Sequence, residues 1–397
     1  MVEENRVVID TYEDAREAYL ARDLSQALYA EGEVIMGDVL ITLHGEDHRM
    51  RRRLENRLFR REVFFRYENE LFPDIIQKTL GPHVEAGKAE LVSVSHQLMM
   101  NLSALTAGVD RPQGTPEESF RLYDYLMTFI EGATLVHYTG DKQAKEAEIE
   151  RSLAAFDEEF LSPGVARRAS LINDYKEGRI AEEDLPKDVL TVLLRNEDSL
   201  NLPRPVILRE IAFYLLAGAH TSATAFTRTM HHIFQWLEKN PGQQEKLMSQ
   251  GFIQRCVHET IRLQPSSPVS ERWAEKDIQL ASGSSIDKGS RVVIDLIQAN
   301  RDRSIFGDDA EEFNPERVLP TSVPQHGLSF GLGMHACIGK DLAAGVLRQG
   351  AGDTDTHLNG VVTLAVGSMF EKSCRPDPRE APEMNPSTSR PYFGRYP

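Results

Sequence analysis

Apolar and polar positions alternate with two different periods along this chain, and the helical period dominates. Residues 5–20 predict a short strand at Val7-Val8-Ile9 followed by a helix. A strongly charged helical pattern runs from about Arg49 to Leu80. Residues 86–200 predict a series of helices with breaks near Pro112–Pro116, Gly140, Pro163-Gly164 and Pro186. A long helix is expected from about Pro205 to Glu238, stopped by Asn240-Pro241-Gly242. Its first part, Ile211-Ala212-Phe213-Tyr214-Leu215-Leu216-Ala217, is apolar on every side and so is expected to be buried. Strand-type runs follow at Ile278–Leu280 and Arg291–Ile297, then an irregular segment rich in proline and acid from Asp302 to Pro324. Helix resumes after Cys337 and gives way to the strand-prone Val361–Val366. No repeat or low-complexity linker divides the chain, so residues 1–397 are expected to form one domain, mainly α with a small β region.

Charge and cysteine content narrow the function classes. The formal net charge of −16 disfavours nucleic acid as a partner. No run of about 18 apolar residues could span a membrane, and the polar, acidic start resembles neither a secretory signal nor an anchor. Cys256, Cys337 and Cys374 are odd in number and widely spaced, which fits a reducing cytoplasm better than a disulfide framework. Against the acidic average stands a basic run: Arg49, Arg51, Arg52, Arg53, Arg57, Arg60 and Arg61 are opposed by Glu55 alone. Such a run is either a solvated helix face or a docking surface for an acidic partner.

Four constellations could carry chemistry. In the loop Phe330–Gly339, Cys337 follows His335 by two residues and precedes Gly339 by two. Gly331 and Gly333 permit backbone conformations that a Cβ would forbid. A thiolate held this way can be an axial ligand to haem iron, or Cys337 can be a buried structural cysteine. Glu259 and Arg262, at i and i+3, share a helix face and can pair. In the long helix, Ala217-Gly218-Ala219-His220-Thr221 is either a polar stripe on a buried helix or a site of proton handling. His48 and Arg52 share a helix face at i and i+4; the neighbouring arginines would repel a metal cation at His44 and His48.

Taken together these residues resemble the cytochrome P-450 superfamily, soluble bacterial type. The ligand loop pattern Phe-x-x-Gly-x-His-x-Cys-x-Gly is matched by Phe330, Gly333, His335, Cys337 and Gly339. The family's Glu-x-x-Arg helix resembles Glu259–Arg262, and its Phe-x-Pro-x-Arg resembles Phe313–Arg317, whose Arg317 would complete a structural triad. The resemblance implies the cytochrome P-450 fold, with the long helix lying over a buried haem b whose iron takes Cys337 as axial ligand. It implies propionate contacts from His48, Arg52, Arg272 and His335, and small residues Ala217 and Gly218 that let the haem approach the helix. Thr221 and His220 would handle protons, His220 standing where the family usually has an acid. Phe213 and Val269 would face the substrate. The implied activity is monooxygenation of a small to medium apolar organic molecule by dioxygen. Electrons would come from a separate ferredoxin or flavodoxin-type donor docking around Arg49–Arg61. Peroxide-driven or donor-independent haem-thiolate chemistry is the alternative, with a non-catalytic haem-binding sensor behind it. The resemblance also implies that the family's N-terminal helix and first strand are absent, and that the short stretch before His48 leaves the pocket open or closed by a partner.

Overall fold

A computed structural model describes residues 5–347, 357–386 and 392–397. Two apolar cores organise them. The larger surrounds the long helix; the smaller lies between a four-stranded sheet and the helix that follows its first strand.

The sheet begins with β1 (Arg6–Ile9), after which α1 (Tyr12–Leu20) starts on the Thr11 side chain, which accepts the Asp14 N–H. Strand β2 (Leu24–Gln26) joins β3 (Val269–Ala274) and β4 (Arg291–Asp295) in the order β1-β4-β3-β2. Strand β1 runs parallel to β4, and the other pairs are antiparallel. This register sets Arg272 between Gln26 and Val292, so the sheet carries a guanidinium inside the fold. The expected strand Arg291–Ile297 stops at Asp295. The Asp295 carboxylate accepts the Ile297 and Gln298 N–H groups and turns the chain into a short helix, Leu296–Ala299.

The charged region from residue 45 to residue 86 divides into α2 (Gly45–Glu55), a short helix at Arg61–Arg66 and α3 (Phe72–Ala86). Helix α3 ends at Gly87, whose φ of +64° is the left-handed stop that glycine adopts freely. Next come α4 (Leu91–Ala107) and α5 (Pro116–Ala133). The break expected at Pro163-Gly164 is a π turn at Asp157–Leu161, from which the helix Ser162–Lys176 continues. The long helix α6 spans Arg204–Lys239, and α7 (Gln250–Leu263) packs beside it. Helix α4 lies closest to α6: a Cβ on Gly218 would sit 2.5 Å from the Ser103 hydroxyl oxygen. Gly218 lets α4 and α6 approach closely at this point.

After Cys337, helix α8 (Lys340–Ala344) is five residues long and ends at Gly345 with φ +71°. The expected strand at Val361–Val366 is helix α9 (Val361–Glu371). Its first six residues are apolar but for Thr363, so periodicity could not separate strand from helix. Burial against α6 and α7 and a built helix start decide it. Glu68 accepts the Asn359 and Gly360 N–H groups at 2.9 and 2.8 Å, satisfying donors that would otherwise be orphaned. Strands β5 (Glu383–Met384) and β6 (Phe393–Arg395) close the chain against α4, where Leu91 N–H donates to the Tyr396 carbonyl at 2.7 Å. No helix among the described residues is long and apolar enough to cross a membrane.

Candidate haem-thiolate site

The cysteine loop is shaped by its glycines. Gly331 and Gly333 have φ of +63° and +66°, and a Cβ on Gly333 would stand 2.8 Å from the Tyr19 carbonyl oxygen. Both conditions exclude a side chain. The Cys337 N–H closes the loop on the Phe330 carbonyl at 2.8 Å. Solvent reaches the Cys337 side chain, yet the surrounding protein still pushes its thiol pKa up. The Gly339 N–H and the charges of Arg52 and Lys340 pull in the opposite direction. A bound cation would settle that balance, because coordination deprotonates a thiol outright.

Imidazoles and guanidinium groups gather beside the loop. His48 and His335 stand with ring centroids 4.5 Å apart, and both nitrogens of each ring are buried without a hydrogen-bond partner. Arg52 donates to the Ala336 carbonyl at 2.7 Å, tying α2 to the loop. Arg272 is buried, bonded to Gln26 and to Ser270 Oγ, and lies over the Tyr19 ring. Burial, then the neighbouring cations, lowers His48 to about 4 and His335 to about 3. A buried polar atom left unpaired costs about 1–3 kcal/mol, and here four lie together among cations. Carboxylates reaching this corner would supply acceptors and counter-charge. The open thiol, the glycine-shaped loop and the orphaned imidazoles fit a haem with its two propionates.

A buried lock holds the approach to the loop. Glu259 accepts from Arg262 at 2.7 and 2.8 Å and from Arg317 Nε at 3.2 Å. Arg262 also donates to the Asn300 and Ala310 carbonyls at 2.6 and 2.7 Å. Sequence reasoning missed the part played by Asn300. Its amide donates to the Arg262 carbonyl and Ser329 Oγ, and its carbonyl oxygen accepts the Leu328 N–H at 2.7 Å. Gly327, at φ +59°, passes so close that a Cβ would lie 2.2 Å from Asn300 Oδ1. The partners of Asn300 lie 28 to 38 residues away in the chain, beyond the reach of a local pattern.

On α6, Thr221 is exposed although its helix neighbours are largely buried, and its hydroxyl donates to the Ala217 carbonyl at 2.6 Å. Ser266 Oγ donates to the Thr221 carbonyl at 2.8 Å. The His220 imidazole turns toward α4, where it stacks on His96. Phe213 is packed into the large core and Val269 opens β3, half-buried. Neither lines the cavity beside His220, whose walls include Met127, Ile130, Thr227 and Tyr392.

The basic run is split by the fold. Arg49, Arg53, Arg57, Arg60 and Arg61 are exposed, whereas Arg51 is buried and donates to Glu210 at 2.6 Å. Glu210 also accepts the Leu40 N–H, and Glu55, bonded to the Tyr214 hydroxyl, completes a buried cluster that sequence reasoning missed. Desolvation pushes both carboxylates up, and their mutual repulsion pushes Glu55 furthest.

Residues 165–348 match the family model described as cytochrome P-450. The chain is 30% identical over 176 residues to the bifunctional cytochrome P-450/NADPH–P-450 reductase 2 of Bacillus subtilis (strain 168), covering 40% of this chain and 17% of that protein. It is 25% identical over 251 residues to a self-sufficient cytochrome P-450 monooxygenase, CYP505E4, of Penicillium freii, covering 57% of this chain and 24% of that one. The match thus spans less than a quarter of the length of these two relatives. Among solved structures, HmtT of himastatin biosynthesis superposes with a TM-score of 0.74 at 19% identity, covering 98% of this chain and 90% of that one. The cytochrome P-450 enzyme CYP109B1 from Bacillus subtilis gives 0.70 at 18% identity, covering 98% and 92%. At these identities the structures share the fold.

Proposed function

We propose, from the match of residues 165–348 to the cytochrome P-450 family model, that the chain is a haem-thiolate monooxygenase acting on a small to medium apolar organic molecule. One observation carries the reading: the unpaired, buried His48–His335 imidazoles beside Arg52 and the open Cys337 thiol. When bound, haem b supplies the redox-active iron that activates dioxygen, and Cys337 as a thiolate donates electron density that favours O–O cleavage. His48, Arg52, Arg272 and His335 hold the propionates and fix the cofactor's orientation, arginine's planar fork being suited to carboxylates. Glu259, Arg262, Arg317 and Asn300 keep the cysteine loop in place. Thr221, exposed on α6, orders water, and His220 handles protons.

Electrons come from a separate ferredoxin or flavodoxin-type donor drawn to the exposed guanidinium groups of Arg49, Arg53, Arg57, Arg60 and Arg61. Electrostatic steering of this kind raises encounter rates and weakens with salt. The test is spectroscopic. Haem-loaded protein, reduced under carbon monoxide, should absorb where thiolate-ligated haem does, and Cys337→Ser should abolish that band. A spectrum of histidine ligation in the unmodified protein would overturn the assignment.

A further inference from the structure

Stripes from α4, α5 and α6 converge on a cavity of about 220 Å³, and β6 forms part of its wall. On α5 the lining residues Tyr123, Met127, Ile130 and Thr134 recur at helical spacing, and on α6 Ala223, Thr224 and Thr227 do the same. The short side chains of Ala223 and Thr224 leave room that longer ones would fill. Charged and polar groups around this space are engaged elsewhere. Glu90 accepts the Val92, Ser93 and Tyr396 N–H groups, and Glu131 pairs with Lys145. Thr227 Oγ1 donates to Ser95 Oγ at 3.1 Å, and Thr134 Oγ1 to the Ile130 carbonyl at 2.8 Å. Arg228 donates to the Gln264 and Pro265 carbonyls and lies over the Tyr392 ring. Thr224 differs: it is 8% exposed, and its hydroxyl has no hydrogen bond among the described residues.

We propose that this cavity binds a neutral, single-ring aromatic molecule carrying one hydroxyl or amino group, with Thr224 bonding that group and Met127 and Ile130 setting the upper size. Volume fixes the ring count. An apolar cavity of about 150 Å³ takes up benzene, and drug-sized ligands need about 300 Å³ or more. The space beside α6 falls between these, at one ring with a short substituent. The rings of Tyr123, Tyr138 and Phe393 in the wall suit an aromatic guest, which they can meet edge-on or offset. A hydroxyl both donates and accepts, so Thr224 can serve a phenol or an amine. A charged guest is disfavoured, because Glu90, Glu131 and Arg228 are committed and an unpaired charge is costly to bury. The inference goes beyond the haem-thiolate reading: among the described residues, Cys337, the propionate contacts and Thr221 are not in this wall.

Calorimetric titration of haem-loaded protein with 4-methylphenol should show one saturable site with a Kd on the order of 0.1–1 mM, a range open to so small a ligand. Thr224→Val should weaken 4-methylphenol about fivefold, the worth of one hydrogen bond, and should not weaken 1,4-dimethylbenzene, which lacks the hydroxyl. Met127→Ala should admit 4-phenylphenol, which the unmodified protein should exclude. Ala223→Leu, which fills the space, should weaken 4-methylphenol on the order of tenfold or more. Haem absorption followed in the same titration separates two sources of the ligand: a spin-state shift identifies a substrate, and an unmoved spectrum with saturable heat identifies an effector. No saturable heat up to the solubility of the phenol overturns the proposal, and so do affinities that Thr224→Val and Met127→Ala leave unchanged. Because calorimetry reads this cavity and the carbon monoxide band reads Cys337, failure of one reading is separable from failure of the other.

Discussion

Arg51→Met should destabilise the protein by an amount that grows with pH. Methionine keeps much of the side-chain bulk, so the main change is loss of the guanidinium that Glu210 and the Asp38 carbonyl share at 2.6 Å. Two carboxylates, Glu55 and Glu210, then remain in a region almost closed to solvent, without their buried cation. Breaking a buried pair by removing one partner costs about 3–5 kcal/mol. Protonation of Glu210 limits that cost. With an unfolded carboxyl near 4.3 and about 1.36 kcal/mol per pH unit, holding Glu210 neutral costs about 1 kcal/mol at pH 5 and about 5 at pH 8, of which the intact protein, with Glu210 raised to about 7, already bears about 1 and about 4. The sign follows from proton counts. A carboxyl raised in the folded state binds more protons folded than unfolded, so stability falls as pH rises above the unfolded value. Urea unfolding of haem-saturated protein, followed by its helical signal, should show a loss of about 2–3 kcal/mol at pH 8. Only about 1–2 should remain at pH 5, once lost hydrogen bonding is included. Adding Glu210→Gln should remove most of the pH dependence. Equal losses at both pH values, or a loss under about 1 kcal/mol at pH 8, would refute the reasoning.

Other perturbations test other parts. Burial raises Glu68 to about 7 despite two backbone donors, so between about pH 4.5 and 7 it should withdraw roughly 3 kcal/mol of stability as pH rises; Glu68→Gln should flatten that slope in urea titrations. Gly333→Ala should displace the loop, because its Cβ meets the Tyr19 carbonyl; a strained backbone of about 1–3 kcal/mol should appear as weaker haem retention with little loss of helix. Asn300→Ala removes partners from the Leu328 N–H and the Arg262 carbonyl, and should cost about 1–3 kcal/mol per stranded buried group, read by calorimetry. Reversing charge at Arg53 and Arg57 should slow electron transfer from an acidic donor at low salt and matter little at high salt; stopped-flow reduction that ignores the change would remove the docking face.

What was legible in the sequence was local. Cys337 and the glycines before it lie in ten residues, so the loop could be read without the fold. Glu259 and Arg262 are one helical turn apart. Long-range partners were less visible: Asn300 reaches 28 residues to Leu328, and His96 meets a helix 124 residues away. A lone histidine on an apolar helix carries no sign of such a partner. Val361–Val366 was misread for a different reason. With every position but Thr363 apolar, the packing against α6 and α7 and the Glu68 cap distinguish helix from strand.

The arginine run illustrates why counting charges along a sequence overstates a surface. At about 100° per residue, positions 48, 51 and 55 fall on one stripe, and on α2 that stripe is the buried one despite holding His48, Arg51 and Glu55. An apolar stripe would have been noticed; Arg51 was instead counted with its neighbours as a solvated or docking face. The next residue round, Arg52, points at the cysteine loop, and Arg49 and Arg53 point outward. Helix α2 therefore presents three faces, to Glu210 of α6, to the Ala336 carbonyl and to solvent. If donors dock on the outer face, they meet an element already anchored from inside at two places. Outer-face charge reversal should then change the encounter rate and leave the ligand spectrum alone. Loss of Arg51, which removes the Glu210 tie between α2 and α6 and leaves the Glu55–Tyr214 bond, should disturb both.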